Sequence, residues 1–327
     1  MRAAVGALLL AALAACAPIA ELPSAPVPYG PAIAIRGAPV PMEPADPTRE
    51  RLGNFTYAGG LHITSDQTSR LHGLSDLKVW PDGRFLAQGD QSDVVEGRLV
   101  LDVRGRLAGV TDAHMHALKD ADGLELYAKG QKEFDAEGVA ELPNGDRLVS
   151  FEQHDRILLY PRDGSIPRQA AMPTVRFKNN DAMEALATDP ATGPDAYRVG
   201  VEETGEVYAC RLSASCVLAG KVALDSGAGL VAMERMPGGR WAYLLRSYSA
   251  VRGNVVRLRI TDSDGTVVDE VELAKPLTVD NLEGLGVVAG PGRRVRFYLV
   301  SDDNFGMYNG LPTDQRTLLL AFDWSPP

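Results

Sequence analysis

Short apolar runs of about four to eight residues, rich in Val, Leu, Tyr and Ile, recur along most of the chain. Examples are residues 98–103, 156–160, 206–212, 255–260 and 317–324. Between them lie hairpin signals: Pro81-Asp82-Gly83, Pro143-Asn144-Gly145, Pro237-Gly238-Gly239 and Asp264-Gly265. No segment sustains a helical stripe beyond about two turns. The pattern predicts an all-β chain.

Superimposed on it is a longer period. The segment DAEGVAELPNGDRLVSFE, residues 135–152, opens on acidic residues, runs apolar, turns, runs apolar again and ends on a carboxylate. Looser copies occupy 184–203 (EALATDPATGPDAYRVGVEE) and 283–304 (EGLGVVAGPGRRVRFYLVSDDN). A fourth, at 75–90, has Ser-Asp in place of Glu, and a degenerate fifth, at 229–248, has lost both carboxylates. The copies start about 45 to 60 residues apart, the period of one four-stranded propeller blade. The spacing predicts a single β-propeller with blades at 74–117, 137–162, 184–224, 230–273 and 283–324. Blade two takes its outer strand from 173–177. Blade five is one strand short, and residues 54–63 (NFTYAGGLHI) supply it and close the ring, hiding sheet edges. A sixth blade within 114–134 and a two-sheet sandwich are the alternatives. In antiparallel hairpins a carboxylate starting strand one and another ending strand two lie at the same end. A propeller would therefore gather them at one mouth of its channel.

The first sixteen residues, MRAAVGALLLAALAAC, have the charged, apolar and small-residue regions of an export signal, too short to span a bilayer. Leu13-Ala14-Ala15-Cys16 resembles a bacterial lipobox, which makes Cys16 the expected lipidation site. Ala17 stands where an Asp often retains such lipoproteins at the inner membrane, so attachment to the outer membrane, facing the periplasm, is expected. Residues 17–51 are rich in Pro and Ala and read as a spacer whose later part packs on the domain. Residues 52–327 form the domain, large enough for one core. Cys210 and Cys216 flank a short polar connection, and export permits a disulfide between them. The formal charge of −10 argues against nucleic acid or an anionic membrane face as partner. The only membrane contact expected is the lipid anchor, on a monomer.

The candidate chemistry lies in the acidic set Asp76, Asp90, Glu137, Glu152, Glu184, Glu202 or Glu203, Asp280, Glu283, Asp302 and Asp303. Like charges crowded at a mouth raise one another's pKa values or demand a counter-ion. Oxygen-only ligands suit Ca²⁺, and Glu137, Glu152, Glu184 and Glu283 are the expected metal ligands. The competing reading is that each Glu caps a neighbouring blade's backbone. Arg246, Arg156, Lys178 and Arg316 are the basic residues near the same end, with Arg246 the expected anion contact and an ion pair to a neighbouring Glu its alternative. Glu137, Asp302, Asp303 and Arg246 form the candidate catalytic set, one of the two Asp orienting water. Arg156, His72 and His154 join Arg246 as candidate ligand contacts. His114 and His116 alternate along a strand and share a face, without a third metal ligand nearby in sequence. There is no Gly-x-Ser-x-Gly elbow, P-loop, dinucleotide fingerprint or zinc-type Cys pair. Ser75 at a blade start reads as a structural hydroxyl.

Five segments together, HGLSDL (72–77), residues 135–157, RSYSAVRGN (246–254), DNLEGLGV (280–287) and SDDNF with QRTLLLAF (301–305, 315–322), make the chain similar to the phytase-like family labelled "esterase-like activity of phytase". The resemblance spans about 52–324 and implies a secreted or periplasmic propeller and, loosely, a hydrolase. Relatives tend to read Leu-Glu-Arg-Ser-Tyr where this chain has Leu244-Leu245-Arg246-Ser247-Tyr248, so blade four brings no second carboxylate. Two functions follow as expectations: a Ca²⁺-assisted hydrolase of a small phosphate or other ester, or a non-catalytic propeller binding a glycan, peptide or envelope protein. A structural lipoprotein stabilised by calcium is a third.

Overall fold

The computed structural model describes residues 32–177, 182–308 and 310–327. The signal segment, Cys16, the first part of the spacer and Lys178 lie outside the described residues. Apart from a two-stranded ribbon of Met307–Tyr308 with Leu311–Pro312, the strands form five antiparallel sheets, each numbered here as a blade from the channel outwards. Blade one is Leu74–Val79, Arg84–Gly89, Asp93–Leu101 and Leu107–Ala117. Blade two is Ala136–Glu141, Arg147–Phe151, Arg156–Tyr160 and Arg168–Gln169. Blade three is Ala185–Thr188, Ala196–Gly200, Glu206–Arg211 and Ala214–Lys221, and blade four Ala228–Arg235, Trp241–Ser249, Gly253–Thr261 and Val267–Ala274. Blade five is Leu282–Ala289, Val295–Ser301 and Leu318–Trp324, completed by Phe55–Thr64 from the beginning of the chain. Each inner strand packs on the next, and that of blade five returns to that of blade one. The ring is a five-bladed propeller.

Closure is apolar and register-specific. Phe55 stands opposite Trp324, Tyr57 opposite Phe322 and Leu61 opposite Leu319. Trp324 Nε1 donates to Asp269 Oδ2 of blade four at 2.7 Å, so the closing blade is also tied to its neighbour. The predicted hairpin turns close as expected: Gly83 N donates to the Trp80 carbonyl at 2.9 Å and Gly145 N to that of Leu142 at 2.8 Å. Alternate residues of each strand enter one of five apolar clusters between adjacent blades, where Phe151, Tyr197, Phe297 and Trp324 are fully buried. The Cys210–Cys216 disulfide links the two outer strands of blade three.

One expectation and one alternative are corrected. The outer strand of blade two is Arg168–Gln169, because Leu158 and Leu159 pair with those residues and not with 173–177. Residues 114–134 hold the end of blade one and two four-residue helices, Leu126–Lys129 and Gln131–Phe134, in place of a sixth blade. Too short to show a helical period, they exist because Leu126, fully buried, plugs the junction of blades one and two. In the later part of the spacer, Arg36–Pro39 adds a fifth strand to blade five, and Met42 is buried.

Deeper in the channel the inner strands of blades one and four contribute an ionic plug. Lys78 Nζ lies 3.0 Å from Asp76 Oδ2 and 2.5 Å from Glu234 Oε1, and donates to the Leu186 carbonyl at 3.2 Å. Asp76 also accepts from Val139 N at 2.9 Å and Leu77 N at 2.7 Å. Burial pulls the Lys78 pKa down, but the two carboxylates more than offset it, and the ammonium stays charged. Asp76 therefore serves the channel interior, not the mouth. Removing one member of a buried charge group strands the others, so Lys78→Met is expected to cost about 3 kcal/mol or more in urea unfolding. An unchanged midpoint would show that Asp76 and Glu234 need no cation.

Candidate functional site

Four of the five inner strands begin with a slip in register against strand two, between Leu74 and Asp76, Ala136 and Val139, Leu230 and Ala232, and Leu282 and Gly284. A bulge inserts one residue and re-aims its side chain. Within these steps lie Ser75, Glu137, Val231 and Glu283, and in blade three Glu184 immediately precedes the inner strand. The glycine after the carboxylate has a physical cause. A Cβ on Gly138 would lie 2.5 Å from the Glu184 carbonyl oxygen, and one on Gly284 2.9 Å from the Cα of Asp76. Inner strands of adjacent blades pass too closely there for any side chain. The Glu-Gly pair thus combines a carboxylate at the mouth with a backbone thin enough to let the ring close.

Glu137, Glu152 and Glu184 converge: a carboxylate oxygen of each lies within 4.8 Å of the others, and all three are buried. They are the one such group of metal-capable side chains among the described residues. Glu152 Oε1 accepts from Ala182 N at 2.8 Å, so it caps a loop and still belongs to the trio. Burial, then the charge of Glu152, pushes the Glu137 carboxyl well above its usual range. Burial, then Glu137 and Glu202, does the same to Glu184. Among the described residues neither Glu137 nor Glu184 has an ion pair. Three oxygen donors from two blades, gathered within 4.8 Å, fit the hard-cation chemistry of Ca²⁺.

Blade four faces this trio with Arg246. Its Nη1 donates to Asn281 Oδ1 at 2.6 Å, and its Nη2 lies 3.2 Å from both Glu202 Oε1 and Glu283 Oε1. Nε is buried without a partner. Glu283 is thus brought to Arg246 and is not one of the three converging carboxylates. Burial drives its pKa up, Arg246 draws it back and Asp302 raises it again, to about 8. Asn281 Nδ2 donates to Glu283 Oε1 at 2.9 Å and to Asp302 Oδ2 at 3.0 Å, joining the two acids. Burial pushes Asp302 to about 6. Burial, then Asp302 and Asp135, raises Asp90 well above its usual range, and its buried Oδ1 has no hydrogen-bond partner.

Asp303, one residue further, is bound on all sides. Its Oδ2 lies 2.6 Å from His72 Nδ1 and accepts from Thr317 Oγ1 at 2.8 Å, while Oδ1 accepts from Gly73 N at 3.0 Å and Phe305 N at 3.2 Å. Burial alone would raise its pKa, but His72 and the other donors hold it below the ordinary carboxylate value. Asp280 accepts from the backbone N–H groups of Asn281 and Arg316 and is a loop cap. Arg156 is buried, donates to the carbonyls of His154 and Glu133 and lies over the Phe151 ring, so its guanidinium is spent on structure. His154 is exposed and pairs with Glu133. His114 and His116 sit on the outer strand of blade one, away from the trio, opposite Glu96 and Val94. Asn281, which joins both halves of the mouth, was not singled out by the sequence, although it stands between Asp280 and Leu282 in the family-like DNLEGL segment.

A family model described as "Phytase-like: Esterase-like activity of phytase" matches residues 69–305. No curated protein matches the chain. Among solved structures it is similar to a putative gluconolactonase, at 12% identity over 92% of each chain, TM-score 0.43. It is also similar to a gluconolactonase from Xanthomonas campestris, at 13% identity over 90% of this chain and 99% of that one, TM-score 0.41. The major allergen Mala s 1 of Malassezia sympodialis matches at 12% identity over 85% and 92%, TM-score 0.44.

The raised carboxyl pKa values carry a definite sign. The folded protein holds protons that the unfolded chain releases above the ordinary carboxylate range, so stability falls as pH rises through that range towards about 8, the Glu283 value. In chelator, the melting temperature is expected to drop steadily between about pH 5 and pH 8. A flat profile in differential scanning calorimetry would show that these acids are ionised and compensated in the fold.

Proposed function

Because the chain belongs to the phytase-like family described as "esterase-like activity of phytase", we propose that this hydrolase-like propeller cleaves a small phosphate or acyl ester at its carboxylate mouth, with Ca²⁺ held by Glu137, Glu152 and Glu184. The observation that carries the reading is the convergence of those three buried carboxylates within 4.8 Å. A bound Ca²⁺ would supply positive charge to an ester oxygen and acidify a water. The chain's own residues do the rest. Asp303 fixes the His72 ring through Nδ1, which leaves Nε2 as the atom to accept or return a proton. Asp302, tethered by Asn281 and the Asn304 N–H, is the candidate to orient water. Asp303, with its oxygens committed, acts through His72. Arg246 provides fixed positive charge beside the trio, its guanidinium already clasped by Asn281, Glu202 and Glu283. The exported, lipid-anchored setting in the periplasm, facing it from the outer membrane, belongs to the same proposal.

That clasp favours a second reading, a non-catalytic mouth that binds a cation or a cationic group of a glycan, peptide or envelope protein. The two readings separate in one series. Chelation with EGTA is expected to lower the melting temperature, and added Ca²⁺ to restore it; Glu137→Gln with Glu184→Gln should weaken Ca²⁺ binding by more than about tenfold. Under the hydrolase reading, turnover of phosphomonoesters or short acyl esters vanishes in the same variant, and His72→Ala lowers the rate by about a hundredfold or more while Ca²⁺ binding survives. Calcium binding without turnover on any of these esters would select the binding platform. A protein indifferent to both EGTA and Ca²⁺ would end both.

A further inference from the structure

Blade one turns one face towards blade two. On it Gln88 stands opposite Val94, which stands opposite His116, and the next row holds Leu86 and Glu96. Blade two answers with Val139, Val149 and Arg147, and the loop after Tyr160 forms the outer wall. These residues enclose a cleft of about 390 Å³ between the two blades, within the range of small-molecule sites. It lies apart from the carboxylate trio, none of whose members lines it.

Gln88 is fully buried. Its Nε2 donates to the carbonyls of Gly89 at 2.8 Å and Asp93 at 3.3 Å, two acceptors that fix which way the amide is turned. Oε1 is left buried with no hydrogen-bond partner, on a residue that lines the cleft. A buried acceptor of this kind asks for a donor from whatever enters. Above it the walls are apolar: Leu86, Val94, Leu118, Val139 and Val149. Towards the rim the charges are unequal. Glu96 is taken by Arg147 at 2.5 Å and Asp120 by Lys129 at 2.5 Å, while Arg162 has no ion pair among the described residues.

We propose that this cleft between blades one and two is a second ligand site, for a small hydroxyaromatic acid. Its O–H donates to Gln88 Oε1, its ring lies between the valine and leucine walls, and its carboxylate faces Arg162. The order of features from floor to rim, acceptor, apolar wall and cation, is the complement of that molecule.

The test uses the whole mature protein and two probes, 4-hydroxycinnamate and its 4-methoxy analogue, followed by ligand-detected NMR or calorimetry. The hydroxy acid is expected to bind saturably and the methoxy compound about tenfold more weakly, since only the first carries the donor. Gln88→Leu should bind both equally and at the weaker level, and Arg162→Ser should weaken both. The proposal is overturned by the absence of saturable binding up to about 10 mM, by equal affinity for the two probes, or by a preference that persists in Gln88→Leu. Should that variant fail to fold, the two probes on the unaltered protein still decide.

Discussion

In blades two and five the inner strands pass a neighbouring blade more closely than a side chain permits, and part of the mouth's construction answers that steric demand. The close contacts at Gly138 and Gly284 leave space for backbone alone. The residue before each glycine sits in or next to a bulge, which frees it from the regular alternation that would bury it against a neighbouring blade. A carboxylate at that position can point along the channel rim. Fold closure and site construction therefore share one dipeptide, and disturbing the first disturbs the second.

The price is electrostatic. Burying several like charges in one mouth raises their pKa values, and among the described residues Lys78 and Arg246 compensate for part of that charge. Lys78 pairs with Asp76 and Glu234 deeper in the channel, where these three side chains form an ionic plug. Arg246 serves Glu202 and Glu283 at the mouth. Between these two, Glu137 and Glu184 have no ion pair among the described residues, and this is where an external cation gains most. Asn281 makes the arrangement one network, because its amide oxygen accepts from Arg246 while its nitrogen donates to Glu283 and Asp302.

Much of this was legible in the chain. Repeated acidic starts and Pro/Asn/Asp/Gly turns gave five blades, and an unmatched NFTYAGGLHI strand pointed to closure of the ring, because hairpin chemistry and period-two alternation are local properties. What remained hidden depends on single-residue displacements. Asp76 follows Ser75, the residue inside the bulge, and that one step sends its carboxylate down to Lys78. Asp302 and Asp303 are neighbours with opposite fates: one is pushed up by burial, the other held down by His72 and its further donors. Arg156 could not be told from a ligand contact until Phe151 and the Glu133 carbonyl were seen beside it. The blade-two outer strand is only two residues long, below what periodicity can register.

Loss of the carboxylates from blade four is consistent with the same economy. A full acidic ring would need more positive charge than the interior provides, whereas a blade that offers Val231 at its bulge and Arg246 on its second strand lowers the repulsion for its neighbours. The mouth becomes lopsided, with Glu137 on blade two and Glu184 beside blade three, neither in an ion pair among the described residues, and a clasped guanidinium opposite. A ligand bridging the two sides must then present positive charge to the trio and can offer negative or neutral atoms to Arg246 only by displacing Asn281, Glu202 or Glu283. Under the hydrolase proposal, a cation seated among Glu137, Glu152 and Glu184 would offset the acidic charge that an ester phosphate meets at this mouth.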